Sequence, residues 1–523
     1  MPKGKEHAKK NSKGKNKAKE PETFEELMEE GVKQEEKGEC YQTGEKAERF
    51  YERARELYAK AYEKKPNDAD CLYNWGRILY ILVNFVPSHS PPELKLSLLA
   101  QSIEKFRAAL VMDPDNADAL FNLAQALTSQ ADVIRERDTD GLDDAITSYN
   151  EAVQSFERVY VLQQKELMNS KPPQNNESGN DKVLNTESLK TTSSGGSGPG
   201  VGSSTSLISA FENLNLKKKG NQASSDGEQV IAEVTEITPV TTESLVDTLI
   251  SIAHTLSCLA ALVESLEYAE KCYIQAIQKL ELALELDVPS KESEIQHQWA
   301  NIYSSQAERA FAETGSMEQV ERLYEIAAQK MNSVIEQDAA NVEAICDRGD
   351  LLTEYANTLM KSVVMSKLDH EPERQEKIRE LFDLAIKSFT LALELEPKNS
   401  AILEKLASLN FTMSLLPLAA MEKNKPELHN NALKYYKRAL DADRDNLDTY
   451  LCYALVLCHV PGKDGDDVVQ TLTEFIERGG NKEFVEEWQM ENQELLRSST
   501  IGKEYTSRVI ETCFSSNSKK RHG

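Results

Sequence analysis

Strand-forming patterns are scarce in this chain. Alternating runs of Val, Ile and Thr are largely missing, and aromatics are only 7% of its 523 residues, which argues against a sandwich or barrel. No uninterrupted apolar run approaches twenty residues and no charged-then-apolar leader opens the sequence, so neither a signal peptide nor a transmembrane segment is expected. The eight cysteines (Cys40, Cys71, Cys258, Cys272, Cys346, Cys452, Cys458, Cys513) include no CxxC pair. They read as free thiols packed as small hydrophobes in a reducing compartment, cytoplasmic or nuclear. The eight histidines (His7, His89, His254, His297, His370, His429, His459, His522) form no HExxH or His-x-His motif, and none is read as paired with a cysteine at ligand spacing. Cys458 and His459 are neighbours, but adjacent helical residues point apart. GxSxG elbows and Walker loops are missing too, and the glycines of GPGVG (198–202) lack the preceding strand that a phosphate cradle needs. The expectation is a non-enzyme with no catalytic residues, no metal and no cofactor.

What the chain does have is helix-favouring composition, rich in Ala, Leu, Glu and Lys. Its formal charge is -26, unevenly placed. Residues 1–20 carry eight lysines against two glutamates, so the body is more acidic than the total. An acidic body repels nucleic-acid phosphates and favours basic partners.

Internal repetition is the strongest signal. A small residue is followed four places on by a large apolar residue, then by another small one, then by a helix-stopping residue. Ala54, Tyr58, Ala61 and Pro66 fit, as do Ser102, Phe106, Ala109 and Pro114, and Ala385, Phe389, Ala392 and Pro397. Looser copies start at Ala276, Ala327 and Ala152, and Ala432, Tyr436 and Ala439 make another, closed by Arg444. After the corner comes a second pattern with a small residue at its centre, such as Gly76, Ala124 or Gly349. At helical spacing, small residues let two backbones approach closely while the aromatic fills the gap beside them. Proline ends one helix, and the Asp/Asn residues of DPDNAD and EPKNSA cap the next.

On these residues the chain resembles the tetratricopeptide repeat (TPR) superfamily. The resemblance implies an all-α fold: a superhelical solenoid of antiparallel helix pairs, here in two arrays joined by a disordered insertion. It departs from the usual 34-residue period, because Pro66 and Pro114 are 48 apart. Stretched helices plus ordered loops are expected to supply the excess. The expected organisation is a basic tail at 1–21, an array of about three pairs at 22–164, a Ser/Gly/Pro/Asn-rich insertion at 165–241 and an array of about four pairs at 242–460. Capping helices at 461–510 and a basic tail at 511–523 complete it. Within the insertion, LISAFENLNLKKK (207–219) reads as a docking motif or as incidental apolar content. The basic tails read as import signals, solubilising segments or, less readily without aromatics, nucleic-acid contacts.

In such arrays the first helix of each pair lines the binding groove. The resemblance therefore makes Tyr73, Asn74 and Arg77, with Phe121, Asn122 and Gln125, candidates for peptide binding. The bland alternative is solvated asparagines and core aromatics. Members that grip the carboxylate termini of heat-shock chaperones place a Lys and an Asn in one first helix, an Asn in the next, and a Lys and an Arg in the third. The aligned places here are Met28, Val32, Asn74, Asp118 and Asn122, so only Asn74 matches and that partner is not expected; Glu404 and Asp347 do no better in the second array. The functional expectation is an interaction scaffold or adaptor for protein partners with basic or extended segments. The alternatives are an escort of a basic client such as a histone or ribosomal protein, and an RNA- or ribosome-associated factor acting through the N-terminal lysines.

Overall fold

In a computed structural model of the chain, the structure describes residues 21–170 and 240–497, apart from residue 42 and short stretches at 88–89, 138–140, 367–371, 417–423 and 461–464, together with scattered residues between 501 and 513. Nearly all of both tails, the 207–219 segment and the GPGVG cluster lie outside the described residues. Among those described there is helix and no strand.

The helices pair in chain order. α1 (Phe24–Tyr41) pairs with α2 (Gly44–Lys64), α3 (Ala69–Leu82) with α4 (Pro92–Met112), and α5 (Ala117–Arg137) with α6 (Leu142–Ser170). After the insertion, α7 (Thr242–Leu262) pairs with α8 (Leu266–Glu285), α9 (Glu292–Thr314) with α10 (Met317–Gln337), and α11 (Val342–Ser366) with α12 (Pro372–Leu395). Then α13 (Ser400–Leu415) meets α14 (Lys425–Ala442), and α15 (Leu447–His459) meets α16 (Gly465–Glu477). Two short helices, α17 (Lys482–Glu491) and α18 (Gln493–Arg497), follow. Each second helix also packs on the next first helix, and successive first helices touch, as α3 does α5 and α13 does α15. This is a TPR-like helix-pair solenoid.

The corner between pairs is the most regular part. Four residues separate α2 from α3, α4 from α5, α10 from α11, α12 from α13 and α14 from α15: KPND, DPDN, DAAN, EPKN and DRDN. The first corner residue still donates its N–H to the outgoing helix, as Asp113 does to the Ala109 carbonyl at 2.9 Å and Glu396 to that of Ala392 at 2.9 Å. The fourth closes the turn on the first and caps the next helix: the side chains of Asp68, Asn116, Asn341 and Asn399 accept from Cys71, Ala119, Ala344 and Ile402. At the second position no N–H is called on, which is why proline fits at 66, 114 and 397. The excess over 34 residues lies mainly in the helices, which reach 29 residues in α6 and 25 in α11. Connections inside a pair can be very short, two residues between α9 and α10; one longer loop, after α3, starts with a 3-10 turn at Val83–Phe85.

Each pair closes around a socket for one large side chain, an aromatic ring in most pairs and Leu280 or Met331 in two. The rings of Tyr58, Phe106, Phe389 and Tyr436 are buried, and so are Ala54, Ala61, Ala109, Ala385, Ala392, Ala432 and Ala439 beside them. A Cβ built on Gly76 would sit 2.8 Å from the Phe106 ring, and one on Gly349 2.6 Å from that of Phe389. The first helix thus needs glycine because the second helix's ring occupies the side-chain position. Ser102 fills a small-residue slot and uses its hydroxyl, donating to the Gly76 carbonyl at 2.8 Å. The insertion does not divide the core: one cluster runs from Leu99 in α4 through Tyr149 and Phe156 in α6 to Leu249, Tyr273 and Ile302 in α7, α8 and α9. α7 is long and apolar enough to cross a membrane by length and composition, yet twelve of its residues are buried in this core.

Replacing Gly349 with valine should lower stability by about 1–3 kcal/mol through overpacking. Denaturant melts of Gly349→Val, Phe389→Leu and the double variant should show coupling, with the double less destabilised than the sum; strict additivity would mean that ring and glycine do not oppose each other.

Candidate functional site

The first helices, α1 to α15 by odd numbers, carry polar side chains that link each to the next. At the N-terminal end Glu35 of α1 accepts from Arg77 of α3 and, at 3.3 Å, from the Tyr58 hydroxyl of α2. Glu35 is 5% exposed. Burial raises its carboxyl, and the Arg77 charge pulls it back. Further on, the Tyr80 and Ser129 hydroxyls pair at 3.1 Å, and those of Thr128 and Thr255 at 3.3 Å across the insertion. His297 of α9 lies 2.6 Å from Asp347 of α11, Lys405 of α13 pairs with Asp350 of α11, and Glu404 accepts from Thr449 of α15 at 2.8 Å.

This ladder absorbs several of the candidate peptide-binding residues. The Tyr73 ring lies 6.1 Å from that of Phe106, and its hydroxyl accepts from Asn122 at 3.3 Å. Phe121 meets Phe156 edge-on at 5.3 Å, and Arg77 is committed to Glu35. Asn74 and Gln125 are half-buried on α3 and α5. The structure therefore brings Tyr73 and Asn122 together, with Arg77 5.8 Å from the Tyr73 ring.

Carboxylates gather in the second half. Glu308 of α9 hydrogen-bonds Glu354 of α11, which also accepts from Ser304 at 3.4 Å. Glu354 is exposed at the surface, yet the neighbouring protein first, then Glu308, raises its carboxyl above the usual range. A carboxylate beside another disfavours its ionised form, and that is the part Glu308 plays for Glu354. Burial likewise raises Asp350, against the pull of Lys405, and raises Glu404, whose donors Thr449 and Asn446 are neutral. Arg348 and Arg309 turn elsewhere, to Ser388 and Asn332, and to Glu313 with the carbonyls of Ala261 and Glu264. A groove of about 380 Å³ runs between α11, α13 and α15, walled by Asp350, Glu404, Lys405 and Asp448 over Phe389, Leu409 and Tyr436.

Sequence reading did not bring these carboxylates together, since residues one repeat apart show no local pattern. It also passed over His254 and Cys258. They lie four apart on α7, with Nε2 3.7 Å from Sγ, and that contact raises the His254 pKa; the spacing of four was the available signal. The His459 Nδ1 lies 2.8 Å from the Leu455 carbonyl and its ring stands edge-on to Phe411. Among the described residues no group of three or more His, Cys, Asp or Glu is placed to hold a metal ion.

A family model described as the plant-specific mitochondrial import receptor subunit TOM20 matches residues 45–192, less than a third of the chain. The chain is 22% identical over 439 residues to the UPF0656 protein C926.02 of Schizosaccharomyces pombe, covering 80% of this chain and 84% of that protein. It is 34% identical over 82 residues to the mitochondrial import receptor subunit TOM20-3 of Arabidopsis thaliana, covering 16% of this chain and only 39% of the receptor subunit. Among solved structures, the human IFIT1 dimer with m7Gppp-AAAA aligns over 88% of this chain and 72% of that one, at 12% identity and a TM-score of 0.35.

Two outcomes follow from the ladder. Arg77→Met strands the buried Glu35 and should cost roughly 3 kcal/mol, the low end for breaking a buried pair; adding Glu35→Gln should recover much of it in denaturant melts. For His297, the hydrogen bond to Asp347 is the main cause of a raised pKa. Its stabilisation is complete below about pH 6.5 and fades as pH rises through the higher folded value. Asp347→Asn should remove that part of the slope in melts from pH 6 to 8.5; an unchanged slope would place the titration elsewhere.

Proposed function

We propose that this chain is a non-catalytic adaptor that holds basic segments of partner proteins, extended or helical, along the polar face of α9, α11, α13 and α15. The observation that carries the reading is the convergence of Glu308, Asp350, Glu354, Glu404 and Asp448 on those helices with Lys405 as the cation among them. Raised carboxyls record that ionising these groups is costly where they stand, and an incoming ammonium or guanidinium lowers that cost by pairing with the carboxylate. The fold supports the same reading, since each first helix leaves one face uncommitted to the aromatic socket. So does the local likeness to subunits named as mitochondrial import receptors. An escort for a highly basic client uses the same face and differs in outcome, a stoichiometric complex with a whole basic protein. Cytoplasm or nucleus is the compartment proposed for either role.

Purified full-length chain should bind a fluorescein-labelled lysine- and arginine-rich peptide, with affinity falling as salt rises from 50 to 500 mM. The Glu308→Gln/Glu354→Gln variant should bind about fivefold to tenfold more weakly, in keeping with loss of one or two charge contacts. Deleting residues 1–20 should leave the affinity in place. Finding no peptide binding, together with RNA binding that disappears on that deletion, would reverse the conclusion.

A further inference from the structure

Building on the adaptor reading, we infer that the groove between α11, α13 and α15 is the anchor point for one long cationic side chain of the partner segment, a lysine or an arginine, with its stem on Leu409 and Phe389 and its charge at Glu404.

The dimensions and lining select that occupant. At about 380 Å³ the groove is at the small end for ligand pockets, suited to one long side chain. Its floor is apolar, with Phe389, Leu409 and Tyr436, and its rim carries the carboxylates of Asp350, Glu404 and Asp448. Lysine and arginine have the matching division, an aliphatic stem under a charged head. An apolar side chain would cover the floor while leaving Glu404 desolvated and without a cation, and an anionic one would be repelled.

The groove already shows that it accommodates such a head group. Lys405 reaches Asp350 and stands 5.7 Å from the centre of the Phe389 ring, joining an ion pair to a cation–π contact. Glu404 has no such partner. Asn446 and Thr449 donate to its Oε1 at 3.0 and 2.8 Å, fixing the carboxylate, and no donor among the described residues falls on Oε2. A second cation at Glu404 would repeat on the α15 side the contact that Lys405 makes on the α11 side.

The test uses the full-length chain and fluorescence anisotropy. The probe is a labelled twelve-residue peptide of alternating lysine and leucine, compared with the same peptide carrying acetylated lysines. Ser408 is an exposed groove residue, so Ser408→Trp fills the space from the solvent side; Glu404→Gln removes the charge without changing shape. Each should weaken binding of the unmodified peptide about tenfold, with far-ultraviolet circular dichroism and melting temperature held as the check on folding. The acetylated peptide should not bind. If both variants bind like the parent while Glu308→Gln/Glu354→Gln binds less, the groove is not the anchor and the adaptor reading stands. If the parent chain binds neither peptide, both conclusions fall.

Discussion

The molecule rests on one contact, repeated: an aromatic or large apolar side chain on the second helix of a pair pressed into a place where the first helix has no side chain. Gly76 under Phe106 and Gly349 under Phe389 are its most demanding forms. Gly31 under Tyr58 shows that the pattern already operates in the first pair. The glycine costs helix stability, about 1 kcal/mol relative to alanine, and burial of a ring offsets it with roughly 1.5–3 kcal/mol. That balance fixes how closely the two helices approach and leaves their lengths free. A second helix can therefore grow to the 24 residues of α12 without altering the socket or the four-residue corner that follows.

With one face of each first helix committed to the socket and another to neighbouring pairs, the third face is where polar chemistry collects. Much of it is spent on cohesion. Glu35 with Arg77, His297 with Asp347 and Lys405 with Asp350 tie pairs that are some forty to fifty-five residues apart in sequence. The N-terminal end of this face is nearly self-satisfied, since Arg77 and Asn122 serve the fold. The C-terminal half is not. There, acids outnumber bases, and burial raises several of the carboxyls. An excess of one sign on a partly enclosed face is a poor way to stabilise a domain and a good way to favour a partner of opposite sign.

The single core around α6 and α7 bears on how the two arrays work. Phe156 and Tyr160 in α6 and Leu249 and Leu256 in α7 belong to one cluster, and Gln163 accepts from Thr248 at 2.8 Å within it. Packing of α7 in that cluster gives its apolar composition a role that needs no membrane.

The sequence by itself determined the helix class, the position of the corners and the small–large–small spacing on which the sockets are built, because these depend on local rules. Proline and asparagine act on the turn that contains them, and small–aromatic–small spacing acts across a single helical face. The capped corner KPND is as readable as DPDN for that reason. Which polar residues would be used up inside the fold could not be read in this way. Arg77 looked available until Glu35, forty-two residues earlier, was placed beside it, and the Glu308–Glu354 pair exists only because α9 and α11 lie side by side. The groove over Phe389 likewise needs three first helices at once. Charge pairing acts through space over a few ångströms, and only the tertiary structure decides which residues are that close.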